Sequence, residues 1–238
     1  MKKLLFGIFI SILSFTTANS EISVGVSGTL GMMDVEGKET ISGSTNAGVT
    51  WTATGSAARA ATDTAATSEN GTEDIVIGYG AVWAEGHLGS NIRAGINFVP
   101  YALESETTEN VRHDACSHTS SCTQTTNKVQ VDLVNLAQLY LSYHTDNFFL
   151  KAGVMTADIE TDESLATGSS YGDASLEGTF VGAGVERDFG TEMFIRSEIA
   201  ITKFDDIKLT GTGTDNTTTI DVTDLGGINA TVSVGKTF

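Results

Sequence analysis

The chain has 238 residues, with 13 Lys and Arg against 30 Asp and Glu, 26 Gly, one Pro and two Cys, and a formal net charge of −17. No apolar run of the mature chain reaches the roughly 20 residues that a membrane-spanning helix needs, and two cysteines cannot make a disulfide framework, so helical membrane proteins and disulfide-stapled miniproteins are excluded. The acidic excess also excludes nucleic acid as an expected partner.

Residues 1–20 read as a secretory signal: Lys2 and Lys3, an apolar stretch from Leu4 to Phe15, then Ala18, Asn19 and Ser20 as an A-x-S cleavage site. Cleavage between Ser20 and Glu21 leaves one mature domain, 21–238, and loss of the two lysines takes the net charge to −19.

The first mature segment, 22–33, alternates with period two. Ile22, Val24, Val26, Leu30 and Met32 share a face with Gly28, opposite Ser23, Gly25, Ser27, Thr29 and Gly31. Weaker alternation follows at 74–86 (Ile75, Ile77, Tyr79, Ala81, Trp83) and 91–103 (Ile92, Ala94, Ile96, Phe98). The segment 128–143 places Val129, Val131, Leu133, Ala137, Leu139, Leu141 and Tyr143 on one parity, and it is long for a strand of a soluble protein. Further strands are expected at 148–156, 177–187 and 193–203, and a last one carries Ile228, Ala230, Val232, Val234, Lys236 and Phe238. Eight is an even number, as a closed antiparallel barrel requires.

The connections alternate in length. Short turns lie at 87–90, 144–147 and 188–191; long polar segments lie at 34–73, 104–127, 157–175 and 205–224. That pattern is the up-and-down barrel of an outer membrane, with short periplasmic turns, long outer loops and both termini periplasmic. A secreted sandwich would need Greek-key crossovers and has no reason to gather every long loop at one end. Val49, Trp51 and Ala53, and Thr219–Val222, are short alternating pieces inside two long segments; they either extend strands beyond the membrane or enlarge the barrel to ten strands.

In a bilayer the apolar parity faces lipid, and an eight-stranded lumen is only wide enough for side chains. By parity Gly25, Ser27, Gly78, Gly80, Gly95, Gly153, Gly182 and Gly184 face inward, leaving room for Arg93, Asp132, Gln138, Lys151, Glu186, Arg196 and Glu198. Charges in so confined a space must pair. They form either a structural salt-bridge network or a gate that opens when partners exchange. Tyr79, Trp83, Tyr101, Tyr143, Phe148 and Phe238 lie near strand ends, as an aromatic belt would.

With these features in place, the chain resembles the eight-stranded outer-membrane β-barrel family of Gram-negative bacteria, the group of OmpA-like transmembrane domains and opacity-type surface proteins. Residues 139–153 are similar to the family's middle hairpin. Residues 182–190 followed by Ile195–Glu198 resemble its next hairpin, where the likeness implies an inward Arg-x-Glu pair, here Arg196 and Glu198. The closing Val232-Ser-Val-Gly-Lys-Thr-Phe238 resembles the family's C-terminal signal, with Val232, Val234 and Phe238 read by the barrel-assembly machinery; Lys236 departs from the usual apolar residue. The resemblance implies contact with outer-membrane lipid and lipopolysaccharide, a monomer, and no cofactor.

The four long segments carry 20 acids and 4 bases, so the outer face is acidic, with Asp158, Glu160, Asp162 and Glu163 densest. No EF-hand spacing is present. Cys116 and Cys122, with five residues between them, are expected to form a disulfide in an oxidising compartment, worth only about 2 kcal/mol because the loop is small. His113 and His118 flank them, but the Cys/His spacing fits no standard zinc site. A lipid-A-modifying enzyme would need a Ser/His constellation at the outer rim, where only these two histidines lie, with Ser117, Ser120 and Ser121 beside them. The expectation is therefore a non-enzymatic surface or structural barrel with a charge-plugged lumen and an unidentified surface ligand; the alternative is a small cation-preferring diffusion channel.

Overall fold

The computed structural model describes residues 21–41, 67–105, 108–113, 124–164, 170–212 and 218–238. These form β1 (Ile22–Ile41), β2 (Thr67–His87), β3 (Ile92–Phe98), β4 (Leu103–Glu104), β5 (Thr108–His113), β6 (Gln124–Thr145), β7 (Phe148–Ser164), β8 (Ala174–Phe189), β9 (Met193–Phe204), β10 (Ile207–Thr210) and β11 (Thr218–Thr237). Strands predominate because apolar and small polar residues alternate throughout, with β-branched Val, Ile and Thr at many positions.

All pairings are antiparallel, in the order β1-β2-β3-β6-β7-β8-β9-β11, and β11 pairs back onto β1. The sheet is thus a closed ring of eight positions. β3, β4 and β5 lie successively along β6, and β10 continues the position of β9 along β11, so the eleven segments fill eight places. Thr219–Val222 belongs to β11, as an extension and not as a ninth or tenth strand. Val49, Trp51 and Ala53 lie outside the described residues. Ile22 and Phe238 exchange backbone hydrogen bonds at 3.3 and 2.9 Å, closing the ring between the first and last strands.

The turns β6–β7 and β8–β9 are short, with φ of 35° at Asp146 and 84° at Gly190, backbone that Asp tolerates and Gly favours. At the other end the strands run well past the expected limits: β1 continues to Ile41 and β7 to Ser164.

The outer face changes character abruptly along each strand. On β7 it reads Phe148, Leu150, Ala152, Val154 and then Asp158, Glu160, Asp162; on β1 it reads Val24, Val26, Leu30, Met32 and then Asp34, Glu36, Lys38. Leu30, Met32, Phe148, Leu150, Ile199 and Val181 are more than half exposed. Beyond the apolar band the outward side chains are charged, and Lys208 pairs there with Asp221 at 2.8 Å.

Two bulges invert the parity that the sequence implies. In β6 the ladder slips between Val134 and Ala137, with Asn135 at φ 55°; in β11 a slip opposite Asp34 and Glu36 accompanies Asp224 at φ 53°. Each bulge is followed by a leucine, Leu136 or Leu225, that packs in the interior. Beyond the β6 bulge Leu133 pairs with buried Ile159, while Asp132 pairs with exposed Glu104 and Glu160. Asp132 is therefore not a barrel-interior charge.

On β2 the odd positions face inward, contrary to expectation. Ala81, Trp83 and Glu85 are buried, whereas Val76 and Val82 are exposed at 74% and 46%. Gly78 and Gly80 accordingly belong to the outer face, and Trp83 and Tyr79 line the lumen instead of joining an aromatic belt. Tyr101, Tyr143, Phe148 and Phe238 are exposed.

Candidate functional site

Among the described residues, buried charged side chains converge in the lumen. At its short-turn half, β2, β3, β8 and β9 contribute Glu85, Arg93, Glu186 and Arg196. Arg93 donates through Nη1 and Nη2 to the two carboxylate oxygens of Glu186, each at 3.0 Å, and lies 3.9 Å from Glu85. Arg196 donates from Nε to Glu186 at 2.5 Å and from Nη1 and Nη2 to Glu85. Glu186 and Arg196 are direct cross-strand neighbours, whereas Glu85 reaches Arg196 from across β1 and β11. Bidentate guanidinium–carboxylate geometry fixes both orientation and charge balance.

Aromatic rings wall this quartet. The Arg196 guanidinium carbon lies 4.6, 4.9 and 5.6 Å from the ring centroids of Phe194, Trp83 and Phe149. The rings find room because Trp83, Gly25, Gly235 and Phe194 form one in-register row over β2, β1, β11 and β9. A Cβ at Gly25 or Gly235 would collide with the indole. Alternation of large and small residues lets side chains fit within a narrow barrel.

Nearer the middle, Lys151 of β7 donates to Glu198 of β9 at 2.8 Å, over the glycines of β8. Its ammonium also lies 4.6 Å from the Tyr140 ring centroid and 5.4 Å from that of Phe180. Beside this pair is a cavity of about 30 Å³ lined largely by hydroxyl and amide side chains, among them Ser27, Thr29, Asn97, Gln138, Thr202 and Asn229. The long-loop half is apolar: Leu136, Met155, Ile159, Leu176, Phe180 and Phe204 are buried together, with Leu133, Leu103, Met33 and Leu225 packed against them.

The lumen therefore has three levels: a paired charge quartet, a small polar chamber and an apolar plug. Of the charges expected inside, Arg93, Lys151, Glu186, Arg196 and Glu198 are there and paired. Arg196 and Glu198 do not bond each other; each has its own partner across the lumen. Glu85, with a fully buried side chain, joins them although the sequence pattern places its parity on the lipid face. The signal that identifies it is Val76 and Val82 on the even positions with a carboxylate two residues beyond Trp83.

At the short-turn rim His87 contacts Ser23 Oγ at 3.2 Å and Glu21 at 3.2 Å, and His144 contacts Ser142 Oγ at 3.0 Å and Glu186 at 3.8 Å. Both serines are almost fully buried, at 0% and 4% exposure, so neither hydroxyl is presented to a substrate. His113 lies in β5; Cys116, Cys122 and His118, and Ser20 of the signal boundary, lie outside the described residues. Among the described residues no His, Cys, Asp and Glu group is arranged to hold a metal ion. Val232 and Phe238 are exposed on the outer face at 52% and 69%, and Lys236 pairs with Glu192 at 3.1 Å, which accommodates the cation in an otherwise apolar strand end.

No family model matches the chain, and no curated protein matches it. Among solved structures it is similar to the outer membrane protein OprG from Pseudomonas aeruginosa, at 12% identity and TM-score 0.43, covering 87% of this chain and 96% of that one. It is also similar to Ail, the attachment invasion locus protein of Yersinia pestis, at 9% identity and TM-score 0.36, covering 89% and 99% of the two chains. A third is the outer membrane protease OmpT from Escherichia coli, at 11% identity and TM-score 0.36, covering 92% and 97%. With TM-scores below 0.5, these likenesses add nothing to what the chain's own strand pairing establishes.

Proposed function

We propose that the chain is an integral outer-membrane barrel whose lumen is plugged by paired charges and whose acidic long-loop face is its surface of interaction. The observation that carries this reading is the switch of the outer face from apolar to charged. From Val24 to Met32 the band spans nine residues, and a tilted strand needs about 9–11 to cross a bilayer. Side chains such as Leu30 and Met32, exposed at 69% and 68%, are stable in hydrocarbon and unfavourable in water. Ring closure supports the same reading, because no sheet edge is then left unpaired in lipid.

In this reading the short turns and both chain ends are periplasmic, the collar of Asp34, Glu36, Asp158, Glu160 and Asp162 stands just above the outer leaflet, and the partners there are lipid and lipopolysaccharide. Val232, Val234 and Phe238 serve as the assembly signal. The barrel acts as a monomer and no chemistry is assigned to it.

The test is refolding of residues 21–238 into lipid bilayers. Expected are β-type circular dichroism, faster gel mobility before heating than after, and an electrically silent planar bilayer. A protein that stays folded and monomeric in water without lipid or detergent would overturn the membrane assignment. Reproducible cation-selective steps would favour a small diffusion channel, a reading supported by the polar chamber beside Lys151 and Glu198 and by the acidic outer rim.

A further inference from the structure

Among the described residues, three buried side-chain polar atoms have no protein partner: Ser27 Oγ, Trp83 Nε1 and Asn97 Oδ1. All three residues line the same chamber. Ser27 and Trp83 are only 9% and 6% exposed, and Trp83 and Asn97 are cross-strand neighbours. A buried polar group without a partner is destabilising, so three around one small cavity point to an occupant that bonds them.

We propose that this chamber is a closed internal water site, holding about two molecules that bridge Trp83 Nε1 and Asn97 Oδ1 through Ser27 and solvate the Lys151–Glu198 pair. The donor and acceptor inventory selects water. An indole N–H only donates and an amide oxygen only accepts, so the occupant must do both. A cation satisfies the amide oxygen and opposes the indole; an anion does the reverse. Nor is there net charge to recruit an ion, because Arg93, Lys151 and Arg196 are balanced by Glu85, Glu186 and Glu198. The volume of about 30 Å³ compares with the roughly 10–15 Å³ that one water requires. Tyr140 and Phe180 line the chamber on the apolar side, and Trp83 and Arg196, which is paired with Glu85, line it on the other; these are the groups that would close it.

This inference rests on the plugged-lumen reading only for the closure. The test is nuclear magnetic resonance of the full mature chain in lipid nanodiscs with ¹⁵N-labelled tryptophan. The two indoles, Trp51 and Trp83, are assigned with Trp83→Phe or, should that variant not fold, Trp51→Phe. The expected result is a cross-relaxation peak between water and the Trp83 indole proton, together with hydrogen exchange on the order of a hundredfold or more slower than in a free tryptophan peptide. Ser27→Ala should shift the Trp83 indole resonance and no strand amide beyond its neighbours. A slow-exchanging indole with no water peak would overturn the water site alone. A water peak with exchange as fast as in a free tryptophan peptide would overturn the closure, and the plugged lumen with it. A Trp83 shift that saturates on titration with sodium chloride would show an ion in place of water.

Discussion

Glu85 and Arg196, on strands that are not neighbours, form an ion pair through the lumen with the carboxylate side chain fully buried and the guanidinium 8% exposed. The pair links β2 to β9 across the inner face of β1 and β11, the first and last strands of the ring. Arg93 and Glu186 complete it, so each acid of the quartet faces two arginines.

Removing Glu85 should therefore cost more than removing any charge on the outer rim. Glu85→Ala leaves Arg196 and Arg93 sharing Glu186 in a low-dielectric space, and breaking a buried pair typically costs about 3–5 kcal/mol. Urea unfolding in lipid vesicles, read by the loss of the faster-migrating gel band, is the measurement. A midpoint equal to that of the native chain would show that Glu85 is solvated.

Lys151 and Glu198 are a simpler pair, and a double-mutant cycle separates their coupling from packing. Lys151→Met alone strands Glu198, and Glu198→Leu alone strands Lys151; both should destabilise. The double variant should recover most of the loss, because apolar replacement of a whole buried pair is often neutral or favourable. Additive losses in the double variant would count against direct coupling.

Asp132 provides the contrast. The β6 bulge puts it on the face of Glu104 and Glu160, so Asp132→Asn should leave the unfolding midpoint within about 0.5 kcal/mol of native. The bulge itself depends on Asn135 at positive φ. Asn135→Val should destabilise by about 1–2 kcal/mol, whereas Asn135→Gly should be tolerated. Equal tolerance of Val and Gly would mean that this backbone conformation is not maintained.

The lipid-facing assignment predicts a depth profile. Val181→Arg, in the middle of the apolar band, should cost about 2–4 kcal/mol in a bilayer, and Thr179→Arg, beside the charged collar at Glu177, about 0–1. Equal costs at the two positions, measured by refolding into vesicles, would remove the bilayer from the explanation.

Most of the wall was legible from period-two alternation. β1, β7, β8, β9 and β11 have the faces that Val24, Leu150, Val181, Ile199 and Val232 suggest, and Arg93, Lys151, Glu186, Arg196 and Glu198 point inward. Two things escaped. On β2 the apolar residues inside, Ala81 and Trp83, outweigh in hydrophobicity the glycines outside, so the greasier parity imitates a lipid face and hides Glu85. On β6 one extra residue reverses every side chain beyond it, and nothing in Asn135-Leu136 announces a bulge without the partner strand. Partner choice across the lumen was equally hidden, because the contacts of Arg93, Arg196 and Lys151 cross several strands and leave no local spacing to read.

The row formed by Trp83, Gly25, Gly235 and Phe194 sets a timetable for the chain. Half of the indole's seat comes from Gly25 on the first strand and half from Gly235 on the last, so the ring cannot settle until those two strands have met. Trp83 is thus a latch that only a finished circle can close, and a chain that stalls before its final strand lacks the floor on which its interior rests.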